Sequence, residues 1–108
     1  MWICLKDAFF SIVDKDCGSD ELLVRARRPG DIERYFPKAV VTESTNTDYR
    51  YRAAVQRHEI AQVMADLIGA YSASNFKSSV KDRGLHDAYL RVWHAMERLQ
   101  LGGAYSHA

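Results

Sequence analysis

The segment Leu85–Leu99, LHDAYLRVWHAMERL, constrains the fold more than any other stretch of this chain. Leu85, Ala88, Tyr89, Val92, Trp93, Met96 and Leu99 recur at spacings of three and four, the period of one helix face. A face this broad and aromatic needs a surface to lie on. The first half of the chain, which is patterned as strands, is the nearest one. The expectation is a helix on a sheet, with Tyr89, Trp93 and Met96 as its cover. On that reading Trp93→Ala costs about 3–5 kcal/mol.

The strand pattern begins at the N-terminus. Trp2–Leu5 and Phe9–Val13 are rich in aromatic and β-branched residues, and read as one strand kinked at Lys6-Asp7 or as two short ones. Asp14–Asp20 is a turn, dense in aspartate with one glycine and one serine. In Leu22–Arg27 the residues alternate, with Leu22, Val24 and Ala26 on one face and Leu23, Arg25 and Arg27 on the other. The short turn makes a hairpin of these strands. Pro29-Gly30-Asp31 opens a short helix with Ile32, Tyr35 and Phe36 on its buried side, and Pro37 ends it. Ala39–Glu43 and Tyr49–Val55 follow as strands around a polar turn. In the second of them Tyr49, Tyr51, Ala53 and Val55 point one way, and Arg50, Arg52 and Ala54 the other.

Helical period takes over after Gln56, with Ile60, Val63, Met64, Leu67, Ile68 and Tyr71 on one face. Asn75–Val80 makes a helical turn anchored by Phe76 and Val80. Asp82 is positioned to cap a last helix reaching Gln100. The predicted class is α+β: a four-stranded, mainly antiparallel sheet in the order β-β-α-β-β-α-α, with the two C-terminal amphipathic helices packed on one face. Residues 1–100 form one domain, and 101–108, with Gly102-Gly103, form a flexible tail.

Composition narrows the class of function. The chain has 108 residues, 47% of them hydrophobic and 27% charged, which is one ordinary globular domain. Its net charge of +1 means that any electrostatic site comes from local clustering. No apolar run approaches the roughly 20 residues of a membrane span, and the first residues lack the basic start of a secretion signal. The expected location is the cytoplasm, where the cysteines are reduced. Cys4 reads as a small apolar strand residue. Cys17 reads as an exposed thiol whose flanking aspartates discourage the thiolate.

The segments FFSIV, LLVRARRPGDIE, DYRYRA and NFKSSVKDRGLHDAYLRVWHAMERLQ resemble a widespread family of small bacterial proteins. The likeness is carried most sharply by Asn75, Phe76, Lys77, His86, Tyr89, Trp93, Leu99 and Gln100. It implies a common fold. The family has no known activity, so the resemblance assigns no substrate or site residue, and the tail after Gln100 departs from the pattern.

The sharpest candidate site is arginine at alternating strand positions. Arg25 and Arg27 share a face, and so do Arg50 and Arg52. If the strands share a sheet, four planar guanidinium forks stand together opposite the helices, suited to phosphate or carboxylate. About four phosphate contacts give a log–log salt slope near −3 to −4. Parity sends Tyr49 and Tyr51 to the helix side, away from any base stacking. A plainer reading is a solvated strand face balanced by Asp14, Glu21, Glu43 and Asp48. Lys77 and Lys81 share a helical face if their turn is helical, and offer a second anion contact. A general base at His86 lacks an identifiable nucleophile, and the four histidines have no metal-ligand spacing.

No cofactor, metal or catalytic set is indicated. The expected function is a non-enzymatic interaction module, an adaptor or inhibitor of a protein or nucleoprotein partner, in the manner of proteins that mobile elements encode. The alternatives are a nucleic-acid-binding module using the arginine face and, last, a small enzyme with His86 as base. An apolar edge left open by the helices is a natural surface for a partner or a homodimer.

Overall fold

The computed structural model describes residues 1–102. Alternating side chains in the first half of the chain form β1 (Trp2–Cys4), β2 (Phe9–Val13), β3 (Glu21–Ala26), β4 (Thr42–Glu43) and β5 (Tyr51–Gln56). A short helix α1 (Asp31–Tyr35) interrupts them. After β5 come α2 (Arg57–Ala70), α3 (Phe76–Ser79) and α4 (Arg83–Leu101). All strand pairs are antiparallel, in the spatial order β1-β2-β3-β5-β4. The class is α+β, as the alternation requires, with five strands rather than four. The opening apolar run divides because Leu5 N–H bonds Ala8 C=O at 2.8 Å, closing a tight turn over Lys6-Asp7.

One face of the sheet carries the main core. Phe10, Ile12, Val24, Ala26, Ala53 and Val55 are buried there against Ile32 and Phe36 of the α1 region and Ile60 of α2, with Val63 and Met64 packed at the margin. Gly30 starts α1 with φ 86°, a left-handed conformation that disfavours a side chain. Asp31, almost fully buried, answers two guanidinium groups, Arg28 at 3.6 Å and Arg34 at 3.2 Å, which is what makes its burial tolerable.

The other face carries a second, smaller cluster. Val80, Leu85 and Tyr89 bury themselves against Cys4, Phe9 and Phe76. Cys4 pairs with Phe9 across the β1–β2 hairpin, one residue out of step with the core pair Ile3 and Phe10, so these residues face away from α2. The two long helices therefore lie on opposite faces of the sheet, which corrects the expectation that both pack on one. The Tyr89 hydroxyl, 2.9 Å from both the Leu5 and the Ala8 carbonyl oxygens, fastens α4 to the hairpin turn. Burial raises its pKa. Asn75 caps α3 through Ser78 N–H, and Asp82, as the sequence suggests, caps α4 through Leu85 N–H at 2.8 Å. Asp82 also meets Arg28 at 3.0 Å, tying the end of β3 to the start of α4. The backbone bond from Leu85 and the Arg28 guanidinium hold its carboxyl below the usual range.

Leu101 is helical, so α4 runs one residue into the segment expected to be tail, while residues 103–108 lie outside those described. Cys17 is half-buried rather than exposed, and burial raises the Cys4 thiol. No helix among the described residues is long and apolar enough to cross a membrane.

The largest departure from expectation is at the far end of α4. The stripe is buried at Leu85 and Tyr89 and nowhere beyond. Trp93 is 45% exposed and Met96 58%, and Val92 and Leu99 are also open. A helix of 19 residues is about 28 Å long, whereas the longest strands here, at six residues, span about 20 Å. The helix outruns its support. The same occurs at the end of α2, where Ile68 and, just past the helix, Tyr71 are exposed. The radius of gyration of 15.8 Å, against about 13 Å for a compact chain of this length, records both overhangs. Trp93→Ala is therefore expected to cost under about 1 kcal/mol rather than the 3–5 of a core indole, shifting a thermal melt by only a few degrees.

Candidate functional site

Sheet register assembles the arginines. Arg25 on β3 stands directly opposite Arg52 on β5, so the two side chains share a face, the one turned away from α1 and α2. The same cross-sheet row continues to Ser11 and Trp2 on one side and to Thr42 on the other. Five strands thus contribute one row: Trp2, Ser11, Arg25, Arg52, Thr42. Trp2 is 75% exposed at its end. Because α4 covers Cys4 and Phe9 on this same side, the arginines share their face with a helix, which corrects the picture of a bare face opposite all helices.

Tyr49 is also on the arginine side. Parity places it under the helices, but it lies ahead of β5, in a bend where strand alternation does not apply. The Arg25 guanidinium lies 4.5 Å and that of Arg27 4.1 Å from the centre of its ring, and Tyr49 is only 4% exposed. Arg27 also donates to the Asp48 carbonyl at 2.9 Å. Tyr51, within the strand, does pack on the main core, as expected.

The charges around this platform do not cancel. Among the described residues no carboxylate lies within ion-pair distance of Arg25, Arg27 or Arg52. Arg25 donates to the buried Ser11 hydroxyl at 2.6 Å, but the Nε atoms of Arg25 and Arg52 are both shut off from solvent with no acceptor. Two like charges directly opposite on neighbouring strands, each with an idle buried donor, weaken the sheet. Chemically the arrangement is a pair of forks at strand spacing, ready for the oxygens of a phosphate or carboxylate group.

The remaining candidates have other roles. Arg50 is drawn to the sheet edge by Glu43, at 3.4 Å, and leaves the platform. Lys77 places its ammonium 5.0 Å from the Trp93 ring centre. Lys81 bonds the Ser78 carbonyl and lies beyond α3, so the two lysines do not share a helical face. Among the described residues His86 is paired only with its neighbour Asp87, at 3.4 Å. The groove beside α4 is lined by Cys4, Phe76, Tyr89 and Trp93 and does not take in His86. Of the six expected contact residues the structure brings together three: Arg25, Arg27 and Arg52.

Trp2, Ser11 and Tyr49 are members of the platform that alternation alone misses. The signal for Trp2 and Ser11 was present in the Lys6-Asp7 turn: once that turn pairs Cys4 with Phe9, Trp2 falls opposite Ser11. Comparison with family models, with curated proteins and with solved structures returns no match, so geometry alone carries the functional reading.

Proposed function

We propose that this protein is a non-enzymatic interaction module whose contact face is the arginine-bearing side of the sheet, and that its ligand is a single strand of nucleic acid. The observation that carries this is the Arg25–Arg52 pair, opposed across β3 and β5 without a carboxylate partner among the described residues. A phosphate would supply the counter-charge that this pair lacks. The exposed indole of Trp2 at the end of the same row supports a nucleic-acid strand over an acidic protein segment, because a base can stack on it. The reading as an adaptor or inhibitor of a protein partner rests on the uncovered apolar stripe of α4 instead.

The test is fluorescence anisotropy with a labelled single strand of about 12 nucleotides. Three arginine–phosphate contacts predict a log–log salt slope near −2. Replacing Arg25 and Arg52 together by glutamine should weaken binding by at least about tenfold, on the order of 1.4 kcal/mol. Binding unchanged in the double variant, or insensitive to salt, overturns the reading. Retention of polyglutamate in preference to the oligonucleotide overturns it in favour of an acidic protein ligand. A stability measurement accompanies it. Arg52→Met removes the like-charge contact and the idle donor, and should stabilise the fold by about 0.5 kcal/mol, or ~2–4 °C in Tm, while weakening binding.

A further inference from the structure

We infer that the open edge of β1 takes up an extended apolar peptide segment bearing a carboxylate, which adds a strand to the sheet and lays side chains into the groove beside α4. The first ground is backbone pairing. Met1 and Ile12 exchange both of their backbone bonds at 2.8 Å, and Leu5 N–H bonds Ala8 C=O. The β1–β2 ladder is therefore closed at Met1, Ile3 and Leu5, and Trp2 and Cys4 occupy the non-bonded positions between them. Their N–H and C=O groups point away from β2, on the free side of an edge strand. No hydrogen bond reaches those groups among the described residues. An edge of this kind is a template for strand addition, in which main-chain bonds give affinity and pockets for alternate side chains give specificity.

The second ground is what borders that edge. On the α4 side of the sheet, Cys4 lines a groove of about 420 Å³ together with Phe76, Val92 and Trp93. On the opposite side, Ile3 and Leu5 are half-buried at the margin of the main core. Side chains of an added strand alternate between the two sides, so both sets meet apolar surface. The fitting segment is thus a continuous apolar run rather than an alternating one, and β-branched residues suit it best.

The third ground is charge. Lys77 also lines the groove, and its ammonium lies 5.0 Å from the Trp93 ring centre. No carboxylate is within ion-pair distance of it among the described residues. A carboxylate on the incoming segment answers it. A second copy of this chain offers none: β1 carries no acidic residue, and Asp7, in the turn that follows it, is held by Tyr35 and Arg34. The occupant is therefore a segment of another protein. The contact uses the backbone of Trp2 and not its indole, and it is independent of the arginine face.

Selection from a library of random linear peptides, with the full chain as bait, tests it. The expected result is enrichment of peptides that share a run of valine, isoleucine or threonine flanked by aspartate or glutamate. With the most enriched peptide bound, the Trp2 and Cys4 amides should gain protection from hydrogen exchange. N-methylation of alternate residues of that peptide, in the register that faces β1, should weaken binding at least about tenfold. Lys77→Glu and Trp93→Ala should each do the same with unchanged circular dichroism, since Trp93 is already 45% exposed. Lys38→Glu, the same charge change in the segment between α1 and β4, should leave binding as it is. A library that yields no enriched peptide overturns the inference. So does a peptide that binds without protecting those two amides, or that tolerates N-methylation in either register. Protection of the same amides in a peptide-free chain that sediments at twice its 12.3 kDa mass also overturns it, in favour of a second copy on the edge.

Discussion

Phe10→Ala is expected to cost about 3–5 kcal/mol, the scale of loss for truncating a fully buried core phenylalanine. Phe10 is fully buried near the start of β2, and its ring lies 5.9 Å, centre to centre, from those of both Tyr35 and Phe36. It joins the sheet to the α1 region, and no neighbouring side chain can fill the space it leaves without abandoning one of those contacts. Domains of this size hold only about 5–15 kcal/mol in total, so the loss is a large share of what keeps the chain folded. In a thermal melt it should appear as a fall of about 15–30 °C. Phe10→Leu, which keeps most of the volume, should cost nearer 1 kcal/mol. A Phe10→Ala variant that melts within a few degrees of the wild type would show that the main core is not centred here.

Tyr89→Ala is expected to cost about 3 kcal/mol and to act locally. Tyr89 stacks on Phe76 at 5.5 Å and bonds the carbonyl oxygens of the β1–β2 turn. It belongs to the smaller cluster, on the far side of the sheet from Phe10. Its loss should release α4 while the main core persists. Hydrogen exchange is the discriminating measurement: amides of α4 should lose protection while those of β2, β3 and β5 keep it. Tyr89→Phe should cost about 1–2 kcal/mol, the share due to the hydroxyl. Uniform loss of protection across sheet and helix would mean that the two clusters form one cooperative unit.

The contrast between Tyr89 and Trp93 shows where sequence patterning stops being informative. Both residues lie on the stripe that makes α4 recognisable, four positions apart. Periodicity identifies the helix and its apolar face, but it does not say how much of that face is covered. Cover depends on the length of the surface beneath, and strands of two to six residues support only the first part of a 19-residue helix. The arginine platform has the same character. Alternation correctly placed Arg25 with Arg27, and the structure sets Arg52 opposite Arg25. It misplaced Tyr49, which lies outside the strand, and it did not foresee that Glu43 draws Arg50 away.

What the sequence by itself determined was local. Strand alternation, the Gly30 and Asp82 helix starts, the Asn75 cap and the α+β class follow from side-chain period and backbone chemistry, which act over a few residues and need no knowledge of the rest of the chain. Tertiary structure decided which face each helix took, which strands became neighbours, and hence which arginines met and which apolar residues stayed uncovered. Those outcomes depend on register and on the relative lengths of packed elements, and both are set only when distant segments come together.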